Sequence, residues 1–172
     1  IIRAAQLGVD LKINGAMGVF AWPSEGRLVG YTRDESAIEG SELRIEQYVT
    51  QFAQRTGADS VHVIAHSMGN RALLRAVERI VLRAQAAAPD VRFGQVVLAA
   101  PDVTAALFTQ LASTYQQVAE RTTLYVSDGD RALKASQLLH GSPRLGSGVP
   151  VITTVGAVDT VVASAVDRTF LG

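Results

Sequence analysis

Apolar positions along this chain fall into short runs of strand character separated by longer stretches of helical period. Residues 2–12 place Ala5, Val9 and Ile13, with Leu7 and Leu11 beside them, near helical spacing, and Gly15 ends the pattern. The run 16–21 is short, apolar and stopped by Trp22-Pro23-Ser24, which predicts a buried strand. Residues 25–40 are polar and hold three glycines, which predicts a long functional or mobile loop. Ser41 can cap a helix whose Ile45, Tyr48, Val49 and Phe52 face inward and which Gly57 closes. Val61-His62-Val63-Ile64-Ala65 is again strand-like.

The second half repeats the alternation. Over 68–87 Leu73, Val77, Ile80 and Ala84 share one helical face, with Arg71, Arg75, Glu78 and Arg79 largely on the other. A strand is predicted at 96–100, a helix at 104–120, a strand at 123–126, a helix at 131–139 and a last strand at 149–155. Strict alternation of helices with short, doubly apolar strands predicts an α/β fold. Its sheet is mostly parallel, joined by right-handed crossovers, with helices on both faces. No repeat or low-complexity linker interrupts it, so residues 1–172 read as a single, partial domain.

Composition narrows the function classes. Lys and Arg together number 16, and so do Asp and Glu, so no charge excess points to nucleic acid, an anionic membrane or a strongly charged substrate. The absence of cysteine removes disulfides, thiolate catalysis and Cys-based zinc sites. No run approaches the length of a membrane span and no signal peptide is visible. The first residue is Ile1 rather than Met, so a targeting segment upstream is left open. The compartment is undetermined, with the cytoplasm slightly favoured. No cofactor or metal is implied.

The chemistry concentrates at Ala65-His66-Ser67-Met68-Gly69, where a buried strand is predicted to turn straight into a helix. That context is what a nucleophile elbow requires: the serine stands at the strand's C-terminal edge, Gly69 lets helix and strand approach, and the Met68 backbone N–H can face an oxyanion. Ala65 replaces the usual first glycine and still leaves room. The plain alternative is a serine capping a helix. A serine hydroxyl needs a histidine base and a carboxylate to orient that base. Asp130, past the strand ending at Val126-Ser127, is the favoured acid. Asp102, past Ala99-Ala100-Pro101, is the alternative, and Asp128 ranks below both. Either aspartate could instead cap the helix that follows it. None of His62, His66 and His140 has the place expected of the base, which in this fold comes last in the chain.

Taken together, these motifs resemble a bacterial branch of the α/β-hydrolase superfamily, a domain of unknown function often labelled esterase- or lipase-like. The resemblance runs through Trp22-Pro23-Ser24 with Gly26, Tyr31 and Asp34, the elbow from His62 to Asn70, and Ala100-Pro101-Asp102-Val103. It continues through Ser127 with Asp130-Arg131-Ala132-Leu133, then His140-Gly141 and Arg144-Leu145-Gly146. It implies an α/β-hydrolase fold, with Asp130 in the segment of the probable acid. It also implies a central strand and a second oxyanion donor preceding Ile1, and a catalytic histidine just after Phe170-Leu171-Gly172.

The short link from Pro101 to Thr104 leaves no room for a cap domain. Trp22, Tyr31 and His66 are the candidate substrate-binding residues, and Arg27, Arg33 and Asp34 share the long loop. The expected activity is a serine hydrolase cleaving a small-molecule ester or related acyl bond. The rival is a non-catalytic domain of the same fold that binds a ligand or partner.

Overall fold

A computed structural model describes residues 2–26, 28–84, 91–148, 151–156 and 158–164. Four strands form one all-parallel sheet in the order β1-β2-β3-β4: β1 Val63–His66, β2 Phe93–Ala99, β3 Ala119–Val126 and β4 Asp159–Val162. The helices around it are α1 (Ile2–Asp10), α2 (Tyr31–Glu39), α3 (Glu42–Arg55), α4 (Gly69–Ala84), α5 (Ala105–Leu111), α6 (Ser113–Val118) and α7 (Arg131–His140). Ala65, Leu98 and Leu124 are register partners and buried together, whereas on the other face Ile64, Tyr125 and Val161 keep partial exposure. Alternation of this kind sets the register, because a one-residue slip would turn each buried side chain to the wrong face.

Helix α4 carries the largest share of the core. Its Ala72, Leu73, Ala76, Val77 and Ile80 recur at three- and four-residue intervals and are buried, and Ile45 and Val49 of α3 belong to the same cluster. Each fully buried Leu or Val side chain contributes about 1.5–3 kcal/mol over exposure. Only residues 100–104 separate β2 from α5, so no lid is inserted at that point.

Four expectations from the sequence are corrected. Residues 16–21 form no ladder. Phe20 lies instead against α3, its ring centroid 5.5 Å from that of Tyr48, and Gly18 is close to Phe52, while Met17 lies beside Gly8 of α1. Residues 25–40 are not a loop: a 3-10 turn, Leu28–Gly30, leads directly into α2. Polarity hid this helix because two of its inward positions are charged. Asp34 is buried and accepts hydrogen bonds from the N–H groups of Glu25 (2.7 Å) and Gly26 (2.9 Å).

The predicted helix 104–120 is two helices. The Thr114 hydroxyl takes the Leu111 carbonyl at 2.6 Å, competing with the backbone ladder, and Ala119 turns to extended angles, so Glu120 belongs to β3. The last strand is β4 and not 149–155, where residues 151–155 form no strand and 149–150 lie outside the described residues. Asp159 at its start weakens the strand signal in sequence. In the ladder Asp159 is paired with Arg121 at 2.7 Å.

Smaller differences follow from local bonding. Ser41 precedes α3 but does not cap it through its side chain, which donates back to the Ala37 carbonyl at 2.8 Å. Gly57 has the positive φ (62°) expected after a helix end. The C-terminal part of the predicted helix 68–87, Arg27 and Phe170-Leu171-Gly172 lie outside the described residues.

Candidate active site

Strands β1 and β2 end side by side, and each is followed by a residue in the left-handed region. Ser67 has φ 51° and Ala100 has φ 42°. For non-glycine residues that conformation is uncommon and carries strain. The two turns are stitched together: Ser67 N–H donates to the Ala99 carbonyl at 3.0 Å, and Asp102 N–H donates to the Ser67 carbonyl at 3.2 Å. Helix α4 starts two residues after Ser67, at Gly69.

A Cβ on Gly69 would sit 3.6 Å from the Trp22 ring, so Trp22 packs over the start of α4 beside the serine. The Trp22 Nε1 is buried and has no hydrogen-bond partner among the described residues. Met68 is buried, and its backbone N–H donates to no acceptor among the described residues. His66 is exposed at the end of β1.

Asp102 is placed differently from a free carboxylate at a strand end. It is 1% exposed. Oδ1 accepts from the Ser136 hydroxyl at 2.7 Å and lies 3.4 Å from Arg144 Nε; Oδ2 accepts from the Tyr31 hydroxyl and lies 3.4 Å from Arg71 Nη2. Arg71 reaches three residues at once. Its Nε donates to the Asp102 carbonyl at 2.6 Å, its Nη2 to the Tyr31 hydroxyl at 2.9 Å, and its Nη1 pairs with Glu35. His140 contacts Glu35 at 3.0 Å and the Ser136 carbonyl at 2.8 Å. This polar knot binds α2, α4, α7 and the end of β2.

Burial and the hydrogen bond to Asp102 push the Tyr31 phenol up to about 12. Burial also works to raise Glu35, but the Arg71 hydrogen bond and charge, with His140, outweigh it and hold the carboxyl below its ordinary value. Burial lowers Arg144, whose side chain is 3% exposed, against the pull of Asp102. Tyr31 was expected to meet substrate, and the structure instead commits its hydroxyl to the knot.

The segment around Arg144 explains why Arg-Leu-Gly stands there. Arg144 enters the knot, Leu145 is fully buried, and Gly146 runs so close to the β2 end that a Cβ would lie 2.5 Å from the Ala100 carbonyl carbon. Leu145 N–H donates to Val103 and Gly146 N–H to Pro101. The knot residues Glu35, Arg71, Ser136 and Arg144 were not singled out from sequence as site residues. Arg71 was visible only as a polar-face residue of the helix and Arg144 only within Arg144-Leu145-Gly146.

Asp130 is buried at the N-terminus of α7, where Oδ1 accepts from the Leu133 N–H at 3.0 Å. Its carboxylate accepts no other hydrogen bond among the described residues, and its backbone carbonyl accepts the Lys134 N–H at 3.2 Å. Exposed Asp128 lies two residues before it. His62, just before β1, accepts the Gln95 N–H of β2 on Nδ1 at 2.9 Å. His140 is held in the knot by α7. No group of three or more His, Cys, Asp or Glu among the described residues could hold a metal, and no helix among them is long and apolar enough to cross a membrane.

Residues 1–161 match a family model described as alpha/beta hydrolase of unknown function (DUF900). No curated protein and no solved structure matches.

Proposed function

The chain belongs to this α/β-hydrolase family, and from that premise we propose that it carries the nucleophile region of a serine hydrolase acting on an ester or related acyl bond. The observation that supports this reading is the left-handed φ of Ser67 at the junction of β1 and α4. A strained, tightly tethered serine at that junction presents Oγ beyond the strand end, and the following N–H faces the position where a tetrahedral oxyanion forms.

In this reading Ser67 attacks the acyl carbon, Met68 N–H stabilises the oxyanion, and Asp130 orients and stabilises the imidazole that takes the Ser67 proton. Asp130 is preferred to Asp102 because both oxygens of Asp102 are occupied in the knot. The imidazole is expected just beyond Gly172, since His62 and His140 are engaged elsewhere and His66 is adjacent to the serine it would have to serve. Trp22 and His66 flank the serine and are the residues assigned to the substrate.

Labelling of the full-length protein with a fluorophosphonate probe tests this. The expected result is covalent labelling of the wild type that is lost in Ser67→Ala. A folded, unlabelled wild type would move the domain to the non-catalytic binding class.

A further inference from the structure

We propose that Asn70 is a positioning residue that aims the oxyanion donor of the elbow. Asn70 is the second residue of α4 and is 2% exposed. Three donors converge on the Ser67 carbonyl: Asn70 N–H at 3.1 Å, Asp102 N–H at 3.2 Å, and the Asn70 side-chain Nδ2 at 3.0 Å. The same Nδ2 lies 3.4 Å from the Ala99 carbonyl, which already accepts the Ser67 N–H. One amide nitrogen therefore ties the strained residue to the end of the neighbouring strand from the buried side.

The rest of the side chain argues against a role in helix stability. Asn ranks well below Ala in helix propensity, and its Oδ1 is buried with no hydrogen-bond partner among the described residues. An asparagine that leaves one polar atom unsatisfied while its other atom bridges two carbonyls is placed for those carbonyls.

The consequence for chemistry follows from peptide planarity. The Ser67 carbonyl and the Met68 N–H belong to one trans peptide and point in opposite directions. Fixing the carbonyl toward Asn70 and Asp102 fixes the Met68 N–H on the far side, where it has no other acceptor among the described residues. Asn70 thus acts through the 67–68 peptide and does not itself touch substrate. The kinetic part of this inference rests on the reading of Ser67 as nucleophile, whereas the structural part does not.

The test uses the full-length protein with Asn70→Ala and Asn70→Ser. Both remove a similar volume, but only serine can return a donor to the carbonyl three residues back. Asn70→Ala should slow fluorophosphonate labelling of Ser67 by roughly 10- to 100-fold, as partial misplacement of an oxyanion donor would, and Asn70→Ser should recover most of that rate. Crystal structures of both variants should show the 67–68 peptide turned in Asn70→Ala and restored in Asn70→Ser. Equal labelling rates for the two variants would overturn the proposal, and so would an unturned peptide in Asn70→Ala, whatever its rate. If the wild type is not labelled, the hydrolase reading fails by itself, and the peptide orientation alone decides the role of Asn70. Should Asn70→Ala not fold, Asn70→Leu replaces it, filling the site without a donor.

Discussion

The ends of β2 and β3 each bring a buried aspartate to the same edge of the sheet, and their neighbours give the two opposite duties. Asp102 is enclosed by two arginines, a phenol and a serine hydroxyl. Asp130 caps a helix through one oxygen and has no cation paired with it among the described residues. A carboxylate already neutralised by buried guanidinium groups has little field left to offer an imidazole, while a lightly held one retains it. Strand-end position alone does not tell the two aspartates apart; the charges packed against them do.

The largest effect should come from Asp130→Asn. Asparagine caps a helix about as well as aspartate, so stability should stay within roughly 0.5 kcal/mol. The charge that stabilises an imidazolium is lost, and Ser67 labelling of the full-length protein should fall by about 10⁴-fold. Labelling within a few-fold of wild type would remove Asp130 from the acid role and erase the contrast with Asp102.

Asp102→Asn should do the reverse, acting first on the fold. It leaves Arg71 and the buried Arg144 without their shared counter-charge, a change of the kind that costs about 3–5 kcal/mol. Urea unfolding measures it. A cost below about 1 kcal/mol would mean that the knot is not held by this carboxylate, and would restore Asp102 as a candidate acid.

The same contrast explains what could be read from the sequence. The order of β1, α4, β2, β3 and α7 was legible because their apolar positions repeat with periods of 2 or 3.6, and Ser67-Met68-Gly69 was legible because a strand signal runs directly into a helix signal. Helix α2 was not legible: its inward Tyr31, Asp34 and Glu35 are polar, so its burial leaves no hydrophobic period. Strand β4 is only four residues long and was masked by Asp159 at its start, which Arg121 of β3 pairs with. The two candidate acids could not be separated, because the partners that distinguish them lie far off in the chain: Tyr31 is 71 residues from Asp102 and Ser136 is 34. Asn70 was visible as part of a motif, but its bond to the carbonyl of Ala99, 29 residues away, exists only in the fold.

The smallest effect expected is that of Tyr31→Phe, and it sharpens the comparison by reading the knot through pH. At neutral pH the variant loses the hydroxyl that donates to Asp102 and accepts from Arg71, which should cost about 1–2 kcal/mol. The phenol of the folded protein is raised from 10.0 to about 12 by burial and by the carboxylate beside it. Folding thus favours the protonated form, and the contribution is fully present below pH 10 and lost as pH rises through 12. The stability gap between wild type and variant should therefore be constant below pH 10 and narrow by about 1 kcal/mol or more between pH 10 and 12. Tyr115 is fully buried and also raised by that burial, so the wild type alone will lose stability in alkali for two reasons. Only the difference between the two proteins isolates Tyr31. A gap that stays constant to pH 12 would mean that neither burial nor the Asp102 carboxylate raises the phenol, and the Tyr31 hydroxyl would then not be held in the knot.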